Sequence, residues 1–221
     1  MSDLLHLAEH RVQEVALVFM GIVYTIRLMW LLRFKAGKER QAPTGLGDTS
    51  PRKGILYSWF NIAMPWAMES TRTKFFLYLQ FAWFHIGVTA AIVLSVIIPY
   101  WPEVMKDPTV VLVFQIMIGG AFVVGVIRVL RRVGSKFMRA ISSPDDYFSL
   151  LLLTTWFAFA FLSVPNKTDM GEWHLLTYFF LTAFFLVYVP FSKISHYLYY
   201  PFTRYYLGKS LGRRGVYPVR R

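Results

Sequence analysis

Apolar residues fall in five blocks, 13–33, 75–98, 109–130, 147–164 and 173–200. Each is close to the roughly 20 residues that a helix rising about 1.5 Å per residue needs to cross the hydrocarbon of a bilayer. Polar punctuation separates them. Pro99 and Pro102 close the second block, Pro144-Asp145-Asp146 opens the fourth with acids set against the positive end of a helix dipole, and Pro165 to Glu172 forms the loop before the fifth. The connection from Phe34 to Lys74 has two parts. A basic, Gly/Pro-rich run (Lys35, Lys38, Arg40, Pro43, Gly45, Gly47) is followed from Gly54 to Met68 by a stretch with Leu56, Trp59, Phe60, Ile62, Met64 and Trp66 and few charges. At about 15 residues that stretch is too short to span; it suits a helix lying among the headgroups, or equally a loop hugging the membrane. The pattern predicts an all-α membrane protein: a five-transmembrane-helix bundle forming one domain over residues 1–221, with an interfacial helix between spans one and two.

Composition agrees, with 56% hydrophobic and 18% aromatic residues. The formal charge of +12 changes the reading of topology rather than of partner. Nucleic-acid binding needs the cations gathered on a surface patch, and here they flank apolar spans. Twenty of the 24 lysines and arginines fall in connections on one side, leaving Arg11, Lys106 and Lys167 on the other and Arg27 inside the first span. The positive-inside rule then places the N-terminus outside and the C-terminus in the cytoplasm. The start, Met1 to His6, lacks the basic segment and cleavage site of a signal peptide, so the first span is expected to be retained. With no cysteine, the chain can form neither a disulfide, a thioether-linked haem nor a cysteine-ligated iron–sulfur cluster of its own. No central portion of a span carries an acid, which argues against a proton pump or an ion-coupled carrier.

Histidine at membrane depth is costly unless paired or bound, and two spans carry one. His85 lies 11 residues beyond Lys74, about 16 Å up the second span, and His196 precedes Arg204 by eight residues, about 12 Å. Two neutral imidazoles at matched depth make an axial pair for a b-type haem. Gly87, Gly119 and Gly120 offer room for a macrocycle or for plain helix packing, and Arg27, Arg128, Arg132 and Lys193 are candidate propionate partners. The alternative for both histidines is a hydrogen bond to a neighbouring hydroxyl or carbonyl.

Phe84-His85-Ile86-Gly87, Pro190-Phe191-Ser192-Lys193-Ile194-Ser195-His196, and Gly119-Gly120 leading to Arg131-Arg132 resemble the membrane cytochrome b (gamma) subunit of respiratory nitrate reductase. The wider family includes the membrane subunits of heterodisulfide-reductase-like and sulfite-reduction-associated complexes. The resemblance covers roughly residues 10 to 205. It implies two haems stacked between spans two and five, with His85 and His196 as the axial ligands of the cytoplasm-proximal one. The matching outer positions hold Ser95 and Tyr178, poor ligands for a low-spin haem, so one haem is expected; a second, rearranged haem would use His174 and His10. His6 is read as solvated.

The resemblance further implies an electron-transfer subunit in the cytoplasmic membrane of a prokaryote. Electrons would pass between the quinone pool and a cytoplasmic iron–sulfur subunit, with other membrane subunits as possible neighbours. Lys106, Trp101, His174 and Tyr178 are candidate quinone contacts, set against the usual interfacial role of such residues. The competing readings are a haem-free membrane anchor or scaffold and, more distantly, a transporter.

Overall fold

The computed structural model describes residues 2–34, 37, 42, 50–169 and 171–219. The basic run with Lys35, Lys38, Arg40, Pro43, Gly45 and Gly47 lies outside them, as do Arg220 and Arg221. The described backbone is helical and contains no strand. Its principal helices are α1 (Gln13–Arg33), α2 (Pro51–Phe60), α3 (Phe75–Tyr100), α4 (Pro108–Gly134), α5 (Pro144–Ser163), α6 (Trp173–Tyr188) and α7 (His196–Arg213). The turns Asp3–His6 and Leu7–Val12, the second of them π-helical, lead into α1. With the turns continuous with α1 and α6 included, α1, α3, α4, α5 and α6 are long and apolar enough to cross a membrane.

Local chemistry sets several of the starts. Ser50, Asp107 and Ser143 stand immediately before Pro51, Pro108 and Pro144, and a proline in the first turn has no N–H to leave unsatisfied. Asp107 accepts from the Thr109 amide at 2.7 Å. Ser143 and Asp146 form a reciprocal cap, with the Ser143 amide donating to Asp146 Oδ2 at 2.8 Å.

The fifth apolar helix stops short of the expected residue 200. α6 ends at Tyr188, and Val189–Phe191 tightens into a 3₁₀ turn where Pro190 removes a backbone donor. Ser192 is extended; its hydroxyl donates to Val189 O at 3.1 Å and accepts from the Ile194 amide at 3.2 Å, which stabilises the break. A second short turn, Lys193–Ser195, precedes α7. His196 is therefore the first residue of a separate helix and lies outside the five apolar ones. The depth count from Arg204 runs along α7, which continues to Arg213, rather than along the end of a span.

The chain divides into two compact units. The first comprises residues 1–23 and 80–194. Its interior is filled by Leu94, Ile118, Phe157, Leu175, Tyr178 and Phe179, all buried. A Cβ at Gly87 would fall 2.1 Å from the Ala121 Cβ, so α3 and α4 touch there; one at Gly125 would fall 2.7 Å from Thr154 Oγ1, joining α4 to α5. Polar ties add to these close approaches, as expected where lipid removes the hydrophobic drive between helices. Trp156 Nε1 donates to Thr182 Oγ1 at 2.9 Å, linking α5 to α6, and Tyr178 OH donates to Ala91 O, linking α6 to α3.

The second unit comprises residues 24–79 and 195–221. Within it α2 and α7 lie antiparallel at very short range. A Cβ at Gly54 would fall 2.3 Å from Gly208 O and 2.5 Å from Gly212 Cα, and one at Gly208 would fall 2.6 Å from Gly54 O. Trp59 Nε1 donates to Pro201 O at 2.9 Å and Tyr200 OH donates to Trp59 O at 3.1 Å, closing the other end. Much of the basic stretch from Arg204 onward is thus a packed helix, with α7 running to Arg213.

Candidate functional site

His85 sits on α3 with its side chain exposed. Its Nδ1 is 2.7 Å from Phe81 O, one turn back. A carbonyl can only accept, so Nδ1 carries the proton and Nε2 carries the lone pair in the neutral ring. The Phe81 ring lies 4.3 Å away, centroid to centroid, and the Phe84 ring 6.2 Å. Arg128 of α4 holds its guanidinium carbon 5.0 Å over Phe84, a cation–π contact that brings a positive charge to the ring beside His85.

His196, in the second unit, is also exposed and follows Ser195 at the start of α7. Its ring stands edge-on to Tyr197 at 6.5 Å. The Tyr197 hydroxyl pairs with Tyr24 OH of α1 at 2.6 Å, and Arg27 Nη1 donates to Tyr199 OH at 3.3 Å. Arg27 thus has a phenol partner.

Lys193 is engaged with the start of α5. Its ammonium donates to Asp146 Oδ2 at 2.9 Å and to Ser143 Oγ at 2.8 Å, while Tyr188 OH donates to Asp145 Oδ1 at 2.6 Å. The two acids that open α5 therefore hold the chain where α6 ends. Arg132 joins the same cluster, 3.9 Å from Asp146 Oδ2 and 2.6 Å from Ser142 Oγ. A propionate at Lys193 or Arg132 would have to compete with these partners.

The glycines leave no hollow for a macrocycle. The missing Cβ of Gly87 is opposed by Ala121, that of Gly119 by the Phe161 ring at 3.1 Å, and that of Gly120 by Trp83 Nε1 at 2.0 Å. Helix packing takes up all three positions. Ser95 and Tyr178 are likewise built into the core. Ser95 Oγ donates to Ile92 O at 2.8 Å, and the Tyr178 ring is fully buried, parallel to Trp156 at 6.1 Å.

Of the outer residues, Lys106 pairs with Glu103 at 2.6 Å, both side chains largely exposed, and Trp101 is exposed. His10 packs against His6 at 4.7 Å and edge-on against Tyr100 at 5.3 Å. His6 therefore has a ring partner. His174 is buried and edge-on to Trp173. Just before it, Glu172 accepts from the Ser2 amide at 2.8 Å and from the Ser2 hydroxyl, bonds that hold its carboxyl below the usual range. Glu9 and Gln13 carry no role in the sequence reading, yet both are buried. Their spacing of four at the head of an apolar run is the signal that marks them.

Fold and polar placement define an all-α membrane protein with a histidine on α3 whose Nδ1–H is given to Phe81 O. No protein-family model, curated protein or solved structure matches the chain. Among the described residues there is no group of three or more His, Asp or Glu side chains that could hold a metal ion.

Proposed function

We propose that this chain is the membrane cytochrome b subunit of a quinone-linked oxidoreductase, relaying electrons between membrane quinone and a cytoplasmic iron–sulfur partner. His85 and His196 would hold one b-type haem, which supplies one-electron transfer through a six-coordinate iron. The observation that carries this reading is the bond from His85 Nδ1–H to Phe81 O. Metal-ligating histidines characteristically donate the other ring N–H to a carbonyl or carboxylate, which fixes the tautomer and strengthens the ligand nitrogen. The donor chemistry fits a haem. Arg128, near the ring beside His85, is the cation best placed to meet a propionate, whereas Gly87, Gly119, Gly120 and Lys193 have other partners. The packed state of Ser95 and Tyr178 favours one haem over two.

Orientation follows from the distribution of Lys and Arg, with an outer N-terminus and an inner C-terminus. In that orientation the α2–α7 pair lies on the cytoplasmic side, where α2 takes the interfacial position and Arg52, Lys53, Arg204, Lys209 and Arg213 offer an acidic partner a basic face. The host membrane is then the cytoplasmic membrane of a prokaryote.

A dithionite-reduced minus oxidised spectrum of the purified chain, with pyridine haemochrome quantitation, tests the assignment. About one b-type haem per chain is the expected result, since one bis-imidazole pair holds one iron. His85→Ala and His196→Ala should each abolish the low-spin signal. Absence of b-type absorbance in the wild-type chain would leave a haem-free anchor, in which the Phe81 bond merely satisfies His85.

A further inference from the structure

His6-Leu7-Ala8-Glu9-His10 sets two histidines four residues apart, and the single-haem reading uses neither. On helical backbone that spacing brings two imidazoles side by side, the arrangement with which H-x-x-E-H and H-E-x-x-H sequences hold zinc. The structure keeps this pair together. The two rings lie 4.7 Å apart, centroid to centroid, and are tilted by 39°. His6 is exposed and His10 half-buried, with Tyr100 of α3 edge-on to it. Among the described residues no hydrogen bond or ion pair takes up either imidazole. Metal–nitrogen bonds of about 2.0–2.1 Å let one ion bridge ring nitrogens up to about 4 Å apart, a separation these rings reach by turning about their side-chain bonds. The surroundings also suit a cation, since the exposed acids Asp3 and Glu14 outnumber Arg11 on the same stretch.

In hydrolytic zinc sites of this spacing the glutamate activates a water. Here Glu9 is 3% exposed in a segment packed against α6, and no third His, Asp or Glu completes a ligand set among the described residues. The chemistry left to the pair is binding rather than hydrolysis. We infer that His6 and His10 chelate one divalent transition-metal ion (Cu²⁺, Ni²⁺ or Zn²⁺), water filling its remaining positions, and that the ion clasps the turn Asp3–His6 to the π-helical segment Leu7–Val12. Two imidazole nitrogens select these ions over Mg²⁺ and Ca²⁺, which take oxygen ligands. The clasp needs no haem, so it stands or falls separately from the electron relay.

Calorimetric titration of the full chain in lipid nanodiscs, carrying no histidine tag, with zinc chloride as the probe at neutral pH, tests this. Zn²⁺ should fill a site of one ion per chain, and excess magnesium chloride should not displace it. His6→Ala and His10→Ala should each weaken binding at least about tenfold, because a chelate becomes a single contact. Cu²⁺ should bind more tightly than Zn²⁺. Its electron spin-echo modulation should report two imidazole nitrogens in the wild type and one in either variant. Bound Zn²⁺ should also slow hydrogen exchange of residues 7–12 in the wild type and leave it unchanged in the variants. His10 packs against Tyr100, so should His10→Ala fail to fold, the exposed His6→Ala carries the comparison. Three results would overturn the site: no saturable Zn²⁺ binding, a single imidazole on wild-type Cu²⁺, or an affinity that survives both substitutions and so belongs to another histidine.

Discussion

His85 shows how much one backbone acceptor decides. The Phe81 carbonyl sets which ring nitrogen carries the proton, and it does so within a single turn of α3. The residue stands out in the sequence by its cost at membrane depth, whereas its tautomer depends on a rotamer that the sequence does not display. The same limit explains the glycines. Empty volume beside Gly87, Gly119 and Gly120 reads alike whether a cofactor or a neighbouring side chain fills it, and Ala121, Phe161 and Trp83 fill it. Glu172 supplies a test at this scale. Its carboxyl is held below the usual range by the Ser2 bonds, so the tie to the N-terminal turn is present at neutral pH, persists down through the ordinary carboxylate range of about 4.3, and is lost as pH falls through the lowered folded value. Hydrogen exchange of residues 3–12 should accelerate in that acid window. Glu172→Gln should show faster exchange already at neutral pH, with little further acid dependence.

Among the elements, the apolar helices were legible because a bilayer demands long uninterrupted runs and because prolines mark their ends. The break after α6 was not. Pro190 reads as a bend, but whether the helix resumes depends on Ser192 bonding to Val189 and Ile194 and on Lys193 reaching Asp146. The α2–α7 contact was visible only in half. Gly208 and Gly212 stand four apart, the spacing of close helix contacts, whereas their partner Gly54 lies more than 150 residues away. Because the atoms that would meet a new side chain are backbone, the contact has little room to relax. Gly208→Val should destabilise the second unit by about 1–3 kcal/mol, the usual range for overpacking. The measurement is hydrogen exchange of residues 51–60, and it should leave exchange of α5 unchanged.

For the molecule as a whole, the proposed topology rests on the charge distribution, and the absence of cysteine makes it directly testable. In intact spheroplasts, a thiol introduced by Lys167→Cys should react with a membrane-impermeant maleimide. One introduced by Lys136→Cys should react only after permeabilisation. The reverse pattern would invert the chain and remove the basis for a cytoplasmic partner.

The glycine contact between α2 and α7 also bears on how the chain can be handled. A run of lysines and arginines past residue 204 invites trimming for expression, or replacement by a purification handle. Yet Gly208 and Gly212 are where Gly54 comes to rest, so a cut there would strip the partner from α2 and bare Gly54 and Ser58, the two residues that helix buries. Labels and handles are better fused beyond Val219, leaving intact a segment that looks like overhang and serves as a wall.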